Sequence, residues 1–143
     1  LAVKIISESN FIDKRKNEAI KLFSRTMIDT ATGQMLDIQK EDALMTAKLK
    51  TARYTISGPL KLGAVLAGAK SDLLDKLDEF GENLGIVYQI KDDMLDGDAS
   101  KDAGTQLLKY TLKAKKLISK ITDNVRIRKL LEDLTEFVTE RNK

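Results

Sequence analysis

Apolar residues in this chain recur at steps of three and four along nearly its whole length, and no alternating run long enough for a strand interrupts them. From Asp13 to about Ile38 they fall at Ala19, Ile20, Phe23, Met27, Ala31 and Met35. Such steps place residues on one face of a helix, which must be buried against something. A second helical stretch runs from about Glu41 to Ala69, with Gly58-Pro59 inside it. Proline lacks a backbone N–H and clashes with the turn before it, so a kink or a new first turn is expected there. Ser71 fits an N-cap for a third stretch, with Leu73, Leu74, Leu77, Phe80, Leu84, Val87 and Tyr88 inward. Gly97 to Thr105 reads as a loop, and Leu107 to Ile121 as an amphipathic helix. A last helix from about Asn124 turns Val125, Ile127, Leu130, Leu131, Leu134, Phe137 and Val138 inward. The pattern predicts an all-α chain folded as one helical domain over 1–143.

Composition narrows the chemistry. There is no Cys and no His among the 143 residues. That excludes disulfides, thiolate nucleophiles, imidazole bases and thiolate or imidazole metal sites. Catalysis must rest on carboxylates, Lys, Arg, hydroxyls, amides or a metal held by oxygen. The 25 basic and 22 acidic residues balance too closely to argue for nucleic acid. The longest apolar stretch, Leu62 to Ala69, is far too short to span a bilayer, so no stable membrane insertion is expected. The lack of Cys suits a reducing compartment, and the chain is read as cytoplasmic.

The densest chemistry lies in Gly85-Ile86-Val87-Tyr88-Gln89-Ile90-Lys91-Asp92-Asp93-Met94-Leu95-Asp96. On a helix Asp92 and Asp96 share a face, and Asp93 lies about 100° around from Asp92. Acids at this spacing repel by roughly 0.2–0.5 kcal/mol per pair and oppose the dipole of a helix C-terminus. Local stability therefore does not explain them. A hard cation bridging them to a phosphorylated ligand would, and Mg²⁺ takes one or two carboxylates together with substrate phosphates.

This segment resembles the second aspartate-rich motif of the trans-isoprenyl diphosphate synthases, the polyprenyl synthetase family. Three further resemblances follow the family's order: Gly33-Gln34-Met35-Leu36-Asp37, Lys50-Thr51-Ala52, and Ser57-Gly58-Pro59-Leu60 with Gly63 and Leu66-Ala67-Gly68. Together they cover about Gln34 to Thr105. The resemblance implies an antiparallel helix bundle around a central cavity and a Mg²⁺-dependent prenyltransferase. Such an enzyme joins an allylic diphosphate to isopentenyl diphosphate.

By the same resemblance Asp92 and Asp93 would hold Mg²⁺, with Asp96 completing the motif directly or through water. Lys50 would contact the allylic diphosphate, Thr51 would polarise the cation, and Gln89 would sit beside the reacting carbons. Gln34 and Asp37 would line or orient the pocket. Asp92, Asp93, Lys50 and Gln34 are expected to point into one cavity. Arg53, one turn after Lys50, is within reach of a phosphate, and Gly63 and Gly68 are expected to permit close helix packing.

The family uses two aspartate-rich motifs, and this sequence contains one. The chain is therefore expected to be the C-terminal part of a larger synthase domain, working as a homodimer or with a complementary subunit. The apolar opening at Leu1 fits this. The alternative is a non-catalytic or half-site subunit of a heteromeric synthase. The joins near 38–40 and 105–106 are shorter than the resemblance leads one to expect. An aspartate-rich second motif favours elongation over cyclisation.

Overall fold

A computed structural model describes residues 1–39 and 42–141 of the chain. The described residues form seven α-helices and one π-helical segment, with no strand among them. Helix α1 spans Ala2–Glu8, α2 Asp13–Gln39 and α3 Ala43–Thr46. The π segment Ala47–Ser57 runs directly into α4, Gly58–Ala67. Helices α5, Ser71–Asp96, α6, Ala103–Ile121, and α7, Val125–Glu140, complete the chain. The expected short join near 38–40 and the expected helix start at Glu41 fall partly outside the described residues. The other short join, at 105–106, lies in the first turn of α6.

The π segment with α4 runs antiparallel to α2, and the π segment antiparallel to α5, as pairs of contacts show. Thr26 and Gly33 of α2 meet Gly58 and Lys50. Gly81 and Gly85 of α5 meet Ser57 and Ala52. Thr111 of α6 lies 3.4 Å from Thr139 of α7. The larger core joins Ile56, Phe80, Leu84, Val87, Leu117, Ile118, Leu131 and Val138. A smaller one gathers Ile6, Ala19 and Val65 between α1, α2 and α4.

The centre of the molecule is the contact between α5 and the π segment. Each glycine inside α5 costs the helix up to about 1 kcal/mol relative to alanine. The geometry accounts for them: a Cβ on Gly85 would lie 2.2 Å from Ala52 Cα, and one on Gly81 2.5 Å from Ser57 Cα. The two glycines, one α-turn apart, thus receive two residues one wider π-turn apart. Long π-helical runs are rare and concentrate at functional sites. This one ends where the Gly58 N–H bonds the Arg53 carbonyl, five residues back. A side chain at Gly58 would collide with that carbonyl, and Pro59 follows in the first turn of α4, as its sequence position predicts.

Four expectations need correction. In α2 the buried positions are Ala19, Asp29 and Gly33, whereas Ala31 and Met35 face outward. The stripe is set by a carboxylate and a glycine, which hydropathy assigns to the surface. In α7 Val125, Ile127, Leu130 and Phe137 are exposed, and Leu131, Thr135 and Val138 pack inward. Thr135 is tolerated in the core because its hydroxyl donates to the Leu131 carbonyl at 2.8 Å. Gly63 packs against nothing, with open space where its Cβ would be. Gly68 does permit a close approach, since a Cβ there would lie 2.4 Å from the Arg15 guanidinium of α2, and it also closes α4 in the left-handed region at φ 84. Finally, Ser71 is the first residue of α5 and Lys70 is its N-cap.

Candidate active site

The C-terminal end of α5 forms one wall of a cavity of about 530 Å³. Ala43, Leu44, Ala47, Ile86 and Ile90 give it an apolar floor, while Gln89, Asp93, Asp98, Asp102 and Lys109 supply polar groups. Gln89 and Asp93 are one turn apart on α5, so both reach the same side.

A continuous hydrogen-bonded line enters this cavity from the π segment. The Thr51 hydroxyl donates to Gln89 Oε1 at 2.7 Å, and Gln89 Nε2 donates to Asp93 Oδ1 at 2.9 Å. The carboxylate of Asp93 accepts only, so the amide nitrogen of Gln89 must face it. Its amide oxygen then faces Thr51, which is buried and fixed by the close packing of Ala52 against Gly85. The glycine contact thereby sets the direction of a carboxylate about two helical turns further along α5.

The other expected residues divide into two further groups. Lys50 Nζ meets Asp37 Oδ2 at 2.6 Å, and Gln34 Nε2 reaches the same oxygen at 3.4 Å. This half-exposed trio, of which Lys50 precedes Thr51 in the chain, does not line the cavity. Asp92 points instead to the end of α7, where it pairs with Arg141. The Arg141 guanidinium stacks 3.9 Å from the centre of the Tyr88 ring. Of the four residues expected in one cavity, Asp93 alone lines it. The reason is angular: Asp92 lies about 100° around α5 from Asp93 and meets a different neighbour. Asp96 is exposed in the last turn, before Gly97 ends α5 at φ 81.

Arg53 is not placed to take a phosphate. It pairs with the buried Asp29 and lies 3.5 Å from Glu82, and Arg25 adds a contact to Asp29 at 3.1 Å. Burial disfavours the Arg53 charge, but Asp29, Glu82 and Asp78 outweigh it and raise the guanidinium above its ordinary value. This network ties α2 to the π segment, and the Arg25–Asp29 spacing of four is its only trace in sequence. The loop contributes groups that its composition did not single out. Asp98 and Asp102 line the cavity, and hydrogen bonds from Gln106 and Ser100 hold the Asp102 carboxyl below the usual carboxylate value.

Among the described residues no group of three or more acids converges to hold a metal ion. Mg²⁺ needs only one or two carboxylates when phosphates complete its shell. The oxygen donors of Asp93 and Asp92, adjacent in the last turns of α5, fit that requirement in kind.

The family model described as polyprenyl synthetase matches residues 1–133. Solanesyl-diphosphate synthase 2, chloroplastic, of Oryza sativa subsp. japonica is 30% identical over 128 residues, covering 80% of this chain and 31% of its own. Geranylfarnesyl diphosphate synthase of Aeropyrum pernix is 33% identical over 105 residues, covering 66% and 33%. The chain thus spans about a third of the length of these curated relatives. A geranylgeranyl pyrophosphate synthetase from the archaeon Geoglobus acetivorans superposes with a TM-score of 0.85 at 21% identity, over 98% of this chain and 62% of that one. A geranylgeranyl pyrophosphate synthase from Corynebacterium glutamicum, complexed with isoprenyl diphosphate and magnesium, gives 0.81 at 17%, over 94% and 58%. Both share the all-α fold. This chain belongs to the polyprenyl synthetase family.

Proposed function

We propose that the protein carrying this chain is a Mg²⁺-dependent prenyltransferase that condenses an allylic diphosphate with isopentenyl diphosphate into a longer trans-prenyl diphosphate. The observation that carries this reading is the line Thr51–Gln89–Asp93, which runs from the π segment to the acidic end of α5 inside the cavity. Membership of the family supplies the reaction class.

Asp93 and Asp92 would hold the metal, with Asp96 completing the set. Mg²⁺, when bound there, supplies positive charge that stabilises a leaving diphosphate. Gln89 keeps the Asp93 carboxylate aimed into the cavity and presents its amide beside the reacting carbons. The Thr51 hydroxyl, one hydrogen bond behind Gln89, would lend its oxygen to stabilise positive charge on the allylic carbon. Lys50 is held by Asp37 in a partly exposed pair, and such pairs are worth only about 0–1 kcal/mol. Moving Lys50 from Asp37 to an incoming diphosphate is therefore inexpensive. Gln34 stays on Asp37 and keeps that carboxylate in place. Ile86, Ile90, Leu44 and Ala47 exclude water and take prenyl carbons, at about 25 cal/mol per Å² buried.

In the reaction the allylic C–O bond breaks and diphosphate leaves with the electron pair. The isopentenyl double bond attacks the allylic carbon to form the new C–C bond. The adjacent C–H proton then passes to the released diphosphate, restoring the double bond. A homodimer in the cytoplasm completes the proposal. Exposed apolar side chains such as Ile38 and Phe137 support an interface, and no described helix is long and apolar enough to cross a membrane.

The test is radiolabelled isopentenyl diphosphate incorporation by the full-length protein with Mg²⁺ and an allylic diphosphate. The double variant Asp92→Ala, Asp93→Ala should lose about 10²–10³-fold in kcat. A wild-type rate in that variant would refute the assignment.

A further inference from the structure

Helix α6 carries five lysines, Lys109, Lys113, Lys115, Lys116 and Lys120, and not one acidic residue. The neighbouring α7 shows the ordinary pattern, with Arg126, Arg128 and Lys129 answered by Glu132, Asp133, Glu136 and Glu140. Lysines spaced three or four apart on a helix repel one another. Four of the five do so along one flank: positions 109, 113, 116 and 120 fall within about 60° of one another by helix geometry. Lys115 lies on the other flank. The helix dipole favours Lys120 in the last turn, but helix stability does not ask for Lys109, Lys113 and Lys116 upstream of it.

That flank faces a groove of about 380 Å³ between α6 and the wall formed by α5 and the π segment. Lys113, Lys116 and Lys120 line it from α6, and Lys48 lines it from the opposite wall. Its acids are Glu79 and Glu82, and Glu82 is already shared by Lys48 at 3.9 Å and Arg53 at 3.5 Å. Two positive charges remain in excess. Among the described residues, the three α6 lysines in the groove make no ion pair. Lys113 and Lys109 instead sit 5.2 and 5.3 Å from the centre of the Tyr110 ring. Cation–π contact at that distance orients an ammonium without neutralising it.

We infer that this groove is a metal-independent binding site for a small polyphosphate anion, held by Lys113, Lys116 and Lys120 against Lys48. The site is distinct from the acidic end of α5 and does not rest on the prenyltransferase reading. Three lysines on an i, i+3, i+7 row present several ammonium donors along about two turns, which suits an extended chain of phosphates. Lysines on two facing walls favour an anion enclosed in the groove over a flat array of lipid headgroups. Tyr110 and Ile86 border both this groove and the aspartate cavity, so the two adjoin across a neutral wall.

The experiment is a calorimetric titration of the chain with inorganic triphosphate at low salt in EDTA, which silences any metal-dependent site. Wild type should bind one equivalent. The triple variant Lys113→Gln, Lys116→Gln, Lys120→Gln should bind at least about tenfold more weakly, the loss of roughly one charge-assisted contact. The substituted lysines are exposed, and circular dichroism verifies the fold. Lys115→Gln, which removes charge from the other flank, should change the affinity less than about twofold. The inference is overturned by no metal-free binding, or by equal weakening in Lys115→Gln, which would mean net charge alone. It is also overturned if phosphatidylserine vesicles bind through these lysines while triphosphate does not.

Discussion

Gln89 and Arg141 both act on neighbouring aspartates, and they act in opposite senses. Gln89 is neutral and donates one hydrogen bond, so it aims Asp93 without consuming its charge. Arg141 pairs with Asp92 and carries a full positive charge into the place where a cation would serve. Its guanidinium is kept there by Tyr88, and its side chain is only 11% exposed. With Arg141 in place, the two adjacent carboxylates repel each other less while no metal is bound. On the proposed assignment, Asp92 would join Asp93 around Mg²⁺ only when Arg141 lets go. Removing the guanidinium should therefore tighten Mg²⁺ binding. For a pair in which Asp92 is 36% exposed the competition is worth up to about 1 kcal/mol. Arg141→Ala is expected to lower the Mg²⁺ dissociation constant by up to about fivefold, read by titration of the metal. A weaker affinity would show that Arg141 supports the site instead of competing for it.

Helices here are placed by what is missing from them. Gly81 and Gly85 bring α5 against the π segment so closely that Thr51 meets Gln89. Adding one methyl group at Gly85 forces the backbones apart, and overpacking of this kind costs about 1–3 kcal/mol. Gly85→Ala should lower stability by that amount in urea unfolding, while Gly63→Ala, facing open space inside α4, should raise it by about 0.5–1 kcal/mol. The same fall at both positions would mean that the α5–π contact is not tight. Helical character was plain in the sequence, because periodicity and Gly58-Pro59 act within a few residues of chain, but the π winding of Ala47–Ser57 and the start of α6 at Ala103 were not. The faces were less plain. The stripe of α2 turns on Asp29, which is buried because Arg53 arrives from the π segment to neutralise it. A charge made acceptable by a distant partner leaves no local pattern. The outward turn of Leu130 and Phe137 on α7 is likewise decided by which neighbour α7 packs against.

At the scale of the molecule, the bundle and its cavity were legible from the ordered motifs, and the convergence of the motif residues was not. The residues expected to share one cavity stand in three adjoining groups: Thr51–Gln89–Asp93, Gln34–Asp37–Lys50, and Asp92–Arg141. Spacing along a helix indicates which residues share a face. It does not reveal which neighbour that face meets, and Arg141 lies 49 positions from Asp92 in the chain. The lysine flank of α6 was equally open to view in the sequence, but its meaning depends on the facing wall of α5 and the π segment.

The central claim is that the acidic end of α5 joins a metal to an allylic diphosphate. It is tested most directly by titrating the chain with farnesyl thiolodiphosphate, with and without Mg²⁺. The quantity of interest is the ratio of the two affinities, measured throughout in the Lys113→Gln, Lys116→Gln, Lys120→Gln background so that metal-independent binding in the α6 groove does not mask it. Mg²⁺ should tighten binding in that background by at least about tenfold, as two carboxylates and the diphosphate close around it. The same ratio should fall to about one in Asp92→Asn, Asp93→Asn. An unchanged ratio in that variant would contradict the account.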